Sequence, residues 1–139
     1  MQALAEAIRI HLKTSGKDDL RIWGYRNVWF RFDPSEANEF VAVTLAMFST
    51  MHDAFMNSFI TQKDASFPSP EHDGPFSQLA QRIQVDQYRK IKTCLGREWF
   101  YNHPSALIRA TRGLVFLRDM SPEEFFDSCR ALRKSVEDR

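Results

Sequence analysis

The sequence predicts a mostly α protein of the α+β class, in which an N-terminal helix and a β-hairpin pack on a bundle of about four further helices. Several segments repeat apolar residues with the period of a helix, and two of them open with the cap, proline and glutamate of a helix start. One stretch around residue 25 is instead rich in aromatic and β-branched residues. A chain of 139 residues is expected to form a single globular domain over residues 1–139.

The N-terminal elements are a helix followed by the hairpin. Leu4, Ile8 and Leu12 recur every four residues, which predicts a helix over residues 2–14. Residues 20–23 and 28–32 flank Gly24 and alternate in polarity, so we expect two paired strands around a turn. One face of this hairpin should be buried, and Trp23 and Trp29 on the other face should form a lid over a helix or an exposed binding surface. The residues expected to face inward are Leu20, Ile22, Val28, Phe30 and Phe32.

Residues 33–61 are expected to form the core helix of the fold. Asp33 is a good N-cap, Pro34 suits the first helical position and Glu36 completes a capping box. Between Phe40 and Ile60 the only charged residue is Asp53, so this helix would be apolar around most of its surface. Such a helix belongs at the centre of a fold or in an oligomer interface.

The second half of the chain predicts an acidic, mobile loop and three more helices. Residues 63–76 hold three prolines and a glycine, which is typical of a loop. A helix should run from Ser77 to Leu95 with Gly96 as its C-terminal cap. Residues 97–104 are ambiguous, and a fourth helix is expected over residues 105–118. Ser121-Pro122-Glu123-Glu124 opens a last, peripheral helix with a narrow apolar stripe.

Composition argues against several classes of function. Cys94 and Cys129 lie on the apolar stripes of predicted helices, which favours core thiols in a reducing compartment over a disulfide. The sequence lacks a long apolar run and a basic start followed by one, so we expect no membrane contact and a cytoplasmic protein. Scattered histidines, few glycines and no nucleophile motif predict no metal, no cofactor and no nucleotide hydrolysis.

Charge is distributed in blocks of opposite sign, although the formal net charge is only +1. Residues 32–81 carry one basic and seven acidic side chains, whereas residues 82–118 carry eight basic and two acidic ones. Such blocks predict one acidic and one basic surface region. We expect residues 82–116 to bind a nucleic acid or an acidic protein surface. Acidic residues 33–73 would bind a basic partner or imitate nucleic acid.

The third helix supplies the first four candidate binding residues. At 100° per residue, Arg82 and Arg89 lie opposite its apolar stripe, with Lys90 and Lys92 on the two flanks. These side chains should therefore be solvated. Arginine and lysine on a solvated face are the residues that contact phosphates or carboxylates.

The predicted fourth helix supplies three more candidates, Arg109, Arg112 and Phe116, on one outward face beside Gly113. The arginines would contact phosphates, and the ring of Phe116 would stack on an unpaired base. The inward face of this helix would consist of Leu107, Ala110, Thr111 and Leu114. In the alternative interpretation Phe116 packs under a neighbouring helix and the arginines pair with the acidic block.

Arg97 and His103 suggest an enzymatic alternative. The segment Arg97-Glu98-Trp99-Phe100-Tyr101-Asn102-His103 is similar in spacing to the Arg/His pair of the HEPN ribonucleases, small helical proteins that cut RNA without a metal. The resemblance implies that His103 acts as general acid or base and that Arg97 stabilises the phosphoryl transition state.

The function favoured by the sequence is that of a small non-enzymatic binding protein. Such a subunit, adaptor or inhibitor would dock through its charged surfaces onto a nucleic acid, a nucleoprotein or a protein assembly. Two alternatives stay open. One is the HEPN-like ribonuclease, and the other is a purely protein-binding helical module that self-associates through its many aromatic residues.

Overall fold

The structure, a computed structural model, describes residues 1–16, 19–26, 28, 31–63, 65 and 73–137. Helices dominate and a small sheet accompanies them, which confirms the mostly α, α+β class. In chain order the described elements are α1 (Gln2–Ser15), β1 (Ile22–Tyr25), β2 (Glu39–Thr44), α2 (Leu45–Ser58), α3 (Phe76–Leu95), α4 (Arg97–Tyr101), α5 (Ala106–Ala110), β3 (Thr111–Met120) and α6 (Pro122–Glu137).

The longest strand, β3, lies in the middle of the sheet, whose order is β1-β3-β2. β2 and β3 are antiparallel, and Glu39 lies opposite Leu117 while Val43 lies opposite Gly113. The register shifts after Val43, so that Thr44 lies opposite Thr111. The sheet therefore joins segments from opposite ends of the sequence.

The chain divides into two compact units. The first unit comprises Met1–Tyr25 and Arg118–Arg139, and the second comprises Arg26–Leu117. The single domain over residues 1–139 stays a prediction.

The core of the second unit forms around α3. Two clusters of buried side chains meet this helix, and the predicted apolar stripe contributes Leu79, Ala80 and Ile83 to one of them. α3 ends at Gly96 as predicted, with a φ of 85° that favours glycine. The other cluster contains Phe32, Ala37, Tyr88, Phe100, Leu114 and Phe116.

In the first unit α1 packs on α6. Both helices form where the sequence predicts them. At the start of α6 the Ser121 hydroxyl accepts a hydrogen bond from the backbone of Glu124 at 3.2 Å, and the Glu124 carboxylate accepts one from the Ser121 backbone at 2.8 Å. This is the predicted capping box. Near the end of β3, the Arg21 guanidinium donates to both oxygens of Asp119, at 2.9 and 2.5 Å.

The predicted hairpin is wrong. Of its described residues only Ile22–Tyr25 form a strand, and the neighbour of this strand in the sheet is β3. Val28 lies in a turn and Phe32 is buried outside any strand, while Trp29 and Phe30 lie outside the described residues. Trp23 is 67% exposed and does not form a lid. Pairing with β3 makes β1 part of a three-stranded sheet, which is more stable than an isolated two-stranded hairpin.

The predicted core helix over residues 33–61 is right only in part. Residues 45–58 form α2, but the helix does not extend back to residue 33, and Phe48 is its one buried residue. The chain makes one turn after Asp33, forms β2 and only then enters α2. Val41, Val43 and Thr44 are β-branched, and β3 supplies the hydrogen-bonding partner that a strand needs. α2 starts instead at the side chain of Thr44, which accepts a hydrogen bond from the Met47 backbone at 3.3 Å.

The fourth helix is shorter than predicted, because α5 ends at Ala110 and residues 111–120 form β3. The ambiguous segment contains α4. α3 begins at Phe76, one residue before the predicted start. Residues 64 and 66–72 of the predicted mobile loop lie outside the described residues, so its mobility stays a prediction.

Three smaller expectations have mixed outcomes. Cys94 is exposed, so its assignment as a core thiol is wrong, and Cys129 is half-buried. The Nδ1 atom of His52 on α2 lies 2.9 Å from the hydroxyl oxygen of Ser77 on α3. Among the described segments no helix is both long and apolar enough to cross a bilayer.

Candidate binding groove

The second unit contains a groove of about 550 Å³ between α3, the start of α2 and the start of β3. Four cationic side chains line it, namely Arg82, Arg89 and Lys92 from α3 and Arg112 from β3. We call it the basic groove. It brings together four of the seven residues in the predicted binding set.

The period of α3 aligns three of these cations along one side of the groove. Arg82 and Arg89 are seven residues apart, so they leave the same helix face about 10 Å from each other along the axis. Lys92 follows Arg89 by three residues and lies on the adjacent ridge. Arg82 and Arg89 lie on the solvent side of α3, as the helical pattern predicts.

Neighbouring groups hold the groove cations in place. The Lys92 ammonium lies 5.5 Å from the centroids of both the Tyr88 and the Tyr101 rings. One Arg112 nitrogen donates to the carbonyl oxygens of Thr111 at 2.7 Å and Arg109 at 3.1 Å. Neither Lys92 nor Arg112 is paired with a carboxylate of the described residues. Their charges are oriented without being neutralised.

Arg89 has a closer acidic neighbour. Its guanidinium lies 3.3 Å from the carboxylate of Asp86 on the same helix, and the arginine side chain is largely exposed. An exposed pair of this kind contributes at most about 1 kcal/mol to stability. A ligand with several carboxylates can therefore displace Asp86 from Arg89 at little energetic cost.

The floor of the basic groove is apolar. Leu45 is 67% exposed, and Val85 is half-buried beside it. Phe48 and Tyr88 also line the groove but are buried, so their ring faces offer little surface for stacking. The Gln81 side chain donates to the Phe48 carbonyl oxygen at 3.0 Å and ties α3 to α2. The groove therefore combines a cationic border with an open aliphatic patch.

The remaining residues of the predicted set do not line the groove. Lys90 points elsewhere and lies 3.7 Å from the Asp33 carboxylate. Arg109 donates to the carbonyl oxygens of His103 and Pro104, both at 2.7 Å.

The outward placement of Phe116 is wrong. Its side chain is 1% exposed and meets the ring of Phe40 edge to face, with centroids 5.0 Å apart. β3 is the middle strand of the sheet and is buried on both faces here, since the consecutive residues Gly113 and Leu114 are both buried. The aromatic ring that was expected to stack on a base is instead part of the core.

Sequence reasoning missed Leu45 and Val85 and misplaced Arg112. The helical pattern places Leu45 in a core helix and Arg112 on a helix face with Arg109 and Phe116. Only the pairing of β3 with β2 brings Arg112 beside α3, and no local pattern in the sequence contains that pairing. Apolar residues at the start of α2, directly after a β-branched run, were the one available signal.

Arg97 and His103 have separate surroundings. The Arg97 guanidinium lies over the Tyr101 ring at 5.0 Å, while the His103 ring packs against Trp99 with centroids 4.8 Å apart. The Nδ1 atom of His103 accepts a hydrogen bond from the Ser105 backbone at 3.1 Å. The two side chains therefore contact different rings, and no interaction among the described residues brings them together in one site.

No group of three or more potential ligands from His, Cys, Asp and Glu is placed to hold a metal ion in the described parts of the chain. Comparison with protein-family models, with curated proteins and with solved structures finds no match for the chain. The function proposed below therefore depends on the groove itself.

Proposed function

We propose that the protein is a non-enzymatic binding module whose basic groove takes an acidic segment of a protein partner. The observation that carries this proposal is the combination of four cations with an exposed aliphatic floor in one concave surface. The proposed ligand is an acidic stretch in which carboxylates flank an apolar side chain.

Charge favours an acidic ligand over a basic one. The groove gathers Arg82, Arg89, Lys92 and Arg112, and such a cluster raises the local concentration of anions and speeds their association. In the acidic block two carboxylates already have basic partners, since Asp33 is close to Lys90 and Glu36 lies 3.1 Å from Arg26. The groove is the candidate surface because its four cations line one concave site.

The shape and floor of the groove favour a protein segment over nucleic acid. Single-stranded nucleic acids are bound by cations together with open aromatic faces, but Phe48 and Tyr88 are buried and Phe116 lies in the core. A duplex is read by a protruding element that enters its grooves, whereas the basic groove is concave. Leu45 and Val85 instead offer an aliphatic contact, which an apolar side chain flanked by carboxylates would cover.

The test is fluorescence anisotropy with three kinds of labelled probe at two salt concentrations. The probes are a short acidic peptide with a central leucine, the same peptide with glutamines in place of its acids, and single-stranded and duplex oligonucleotides. We expect the acidic peptide alone to bind, and more weakly at high salt. Arg82→Glu/Arg89→Glu should weaken its binding at least about tenfold, or roughly 1.4 kcal/mol.

A matched control separates the groove from overall charge. Lys13→Glu/Lys134→Glu changes the net charge equally but alters α1 and α6, so peptide affinity should be nearly retained. Leu45→Gln should also weaken binding, since it removes the exposed aliphatic contact. Equal losses in both charge variants would contradict a groove-specific site. Tighter binding of an oligonucleotide would make the partner a nucleic acid, and a shortened RNA probe on a denaturing gel would favour the ribonuclease alternative.

A further inference from the structure

A second cavity of about 400 Å³ lies in the second unit, bounded by β2, the end of α3, α4, α5 and β3. Its inner wall is formed by Phe100 and Leu114, both buried. Three large apolar side chains, Phe40, Leu95 and Trp99, form its border and are exposed. None of the basic-groove cations lines it, so the two sites are chemically distinct.

The lining of this apolar cavity excludes charged ligands. Its lining side chains are aliphatic or aromatic, apart from the thiol of Cys94. A charged or strongly polar ligand would lose its hydration there without gaining a hydrogen-bonding partner. An apolar ligand would instead recover the dispersion contacts that unfilled space withholds from the surrounding side chains.

The volume of the cavity sets the size of the ligand. Dry cavities on the order of 150 Å³ lined by Leu, Ile and Phe bind benzene. The cavity here, at about 400 Å³, has more than twice that capacity. Its walls include the Trp99 and Phe100 rings, which meet edge to face at 79° with centroids 4.9 Å apart, so ring faces and ring edges are both available to an aromatic ligand.

We propose that this apolar cavity binds a small uncharged molecule with two or three fused aromatic rings. The inference does not depend on the proposed function of the basic groove, since it is carried by other side chains and requires no charge. The ring of Tyr88, which lines the groove, meets the ring of Phe100, which lines the cavity, with centroids 4.9 Å apart.

The test uses the intact protein and the uncharged fluorophore N-phenyl-1-naphthylamine, which becomes bright in apolar surroundings. We expect saturable binding with one probe per chain and a rise in the melting temperature as the probe concentration increases. Cys94→Trp places a large ring at the wall of the cavity and should abolish the fluorescence signal. Thr93→Trp is the matched control, because Thr93 is exposed on the same turn of α3 and does not line the cavity.

The two cysteines provide a second readout. At a probe concentration ten times Kd, about one chain in eleven is unoccupied, so alkylation of Cys94 should slow about tenfold. Cys129 lies in the first unit and should react at an unchanged rate. The absence of saturable binding, or equal binding by both tryptophan variants, would overturn the proposal. If the probe does not bind and the molecular mass measured by sedimentation doubles as the protein concentration rises, a second copy of the chain covers this surface instead.

Discussion

Residues 33–36 and 121–124 have nearly the same helix-start sequence, yet the structure continues differently after each. Asp33-Pro34-Ser35-Glu36 leads through one turn into β2, whereas Ser121-Pro122-Glu123-Glu124 opens α6. In both places the glutamate accepts a hydrogen bond from the backbone of the capping residue at 2.8 Å. The local interaction is therefore present in both segments, and it does not decide whether the chain enters a strand or a helix next.

The difference lies in the capping side chain and in the residues that come next. The Ser121 hydroxyl accepts from the Glu124 backbone, while the Asp33 carboxylate lies near Lys90 on α3. After Glu36 the chain enters a β-branched run that can pair with β3, and after Glu124 it enters an amphipathic stretch. A capping box thus specifies one turn, and the continuation depends on propensity and on a distant partner.

Of the changes considered, removal of the Phe116 ring should lower stability most, because Phe116 lies in β3, the strand with which β2 pairs. With Phe116 buried in the core, Phe116→Ala should lower the free energy of unfolding by about 3–5 kcal/mol, measured by urea denaturation. Leu132→Ala, at an exposed position of α6, should change it by less than about 1 kcal/mol. A similarly small loss for Phe116→Ala would place this residue on the surface, as the helical interpretation requires.

A methyl group on Gly113 should cause the next largest loss of stability. A Cβ atom there would lie 2.5 Å from Cζ of Phe48 and 3.2 Å from Cβ of Gln84, so Gly113→Ala should lower the free energy of unfolding by about 1–3 kcal/mol. Phe48→Leu removes the ring that causes the clash. In the double variant the two losses should therefore be less than additive in urea denaturation, and simple additivity would contradict this contact.

The two capping residues offer a direct test of the comparison. Ser121→Ala removes a hydroxyl that caps α6 and should lower the free energy of unfolding by about 0.5–2 kcal/mol. Asp33→Ala removes an exposed ion pair and should lower it by at most about 1 kcal/mol. Thermal denaturation of both variants measures the difference. Equal losses would mean that the two caps act alike despite their different continuations.

The smallest expected change in stability concerns Asp119 near the end of β3, just before the second capping box. The hydrogen bonds from Arg21 hold the pKa of Asp119 below its ordinary value. Since the folded-state pKa is the lower one, Asp119 contributes stability above its unfolded-state pKa of about 3.9. This contribution is lost as pH falls through the folded-state pKa. Carboxyl NMR titration should show a low pKa that returns toward normal in Arg21→Gln, and an unchanged pKa would contradict the pairing.

The elements that the sequence predicts well are those with their own local signals. α1, α3 and α6 each combine a helical apolar stripe with a recognisable start or end, and α3 alone supplies three of the four groove cations. The strands were missed because their partners are distant. Residues 40–44 and 111–117 are compatible with a helical pattern when taken alone, and pairing with each other makes them strands.

The sequence likewise predicts those residues of the candidate site that lie on a single helix, and it misses those that depend on strand pairing. Arg82, Arg89 and Lys92 follow from the period of one helix. Arg112 and Leu45 depend on the β2–β3 pairing, which sets Thr44 opposite Thr111 and so places the start of α2 beside the start of β3. A helical wheel places Phe116 at the surface because it cannot represent a middle strand that is buried on both faces.

The pairing of Glu39 with Leu117 has a consequence for synthesis of the chain. A ribosome delivers β2, α2 and α3 well before it delivers β3, so the apolar strand with Phe40 and Val41 must wait for its partner. Loop closure over such a distance makes this pairing one of the slower steps of folding. Translation products that end before Thr111 would carry β2 without a partner, and they should be the species that aggregates or requires a chaperone.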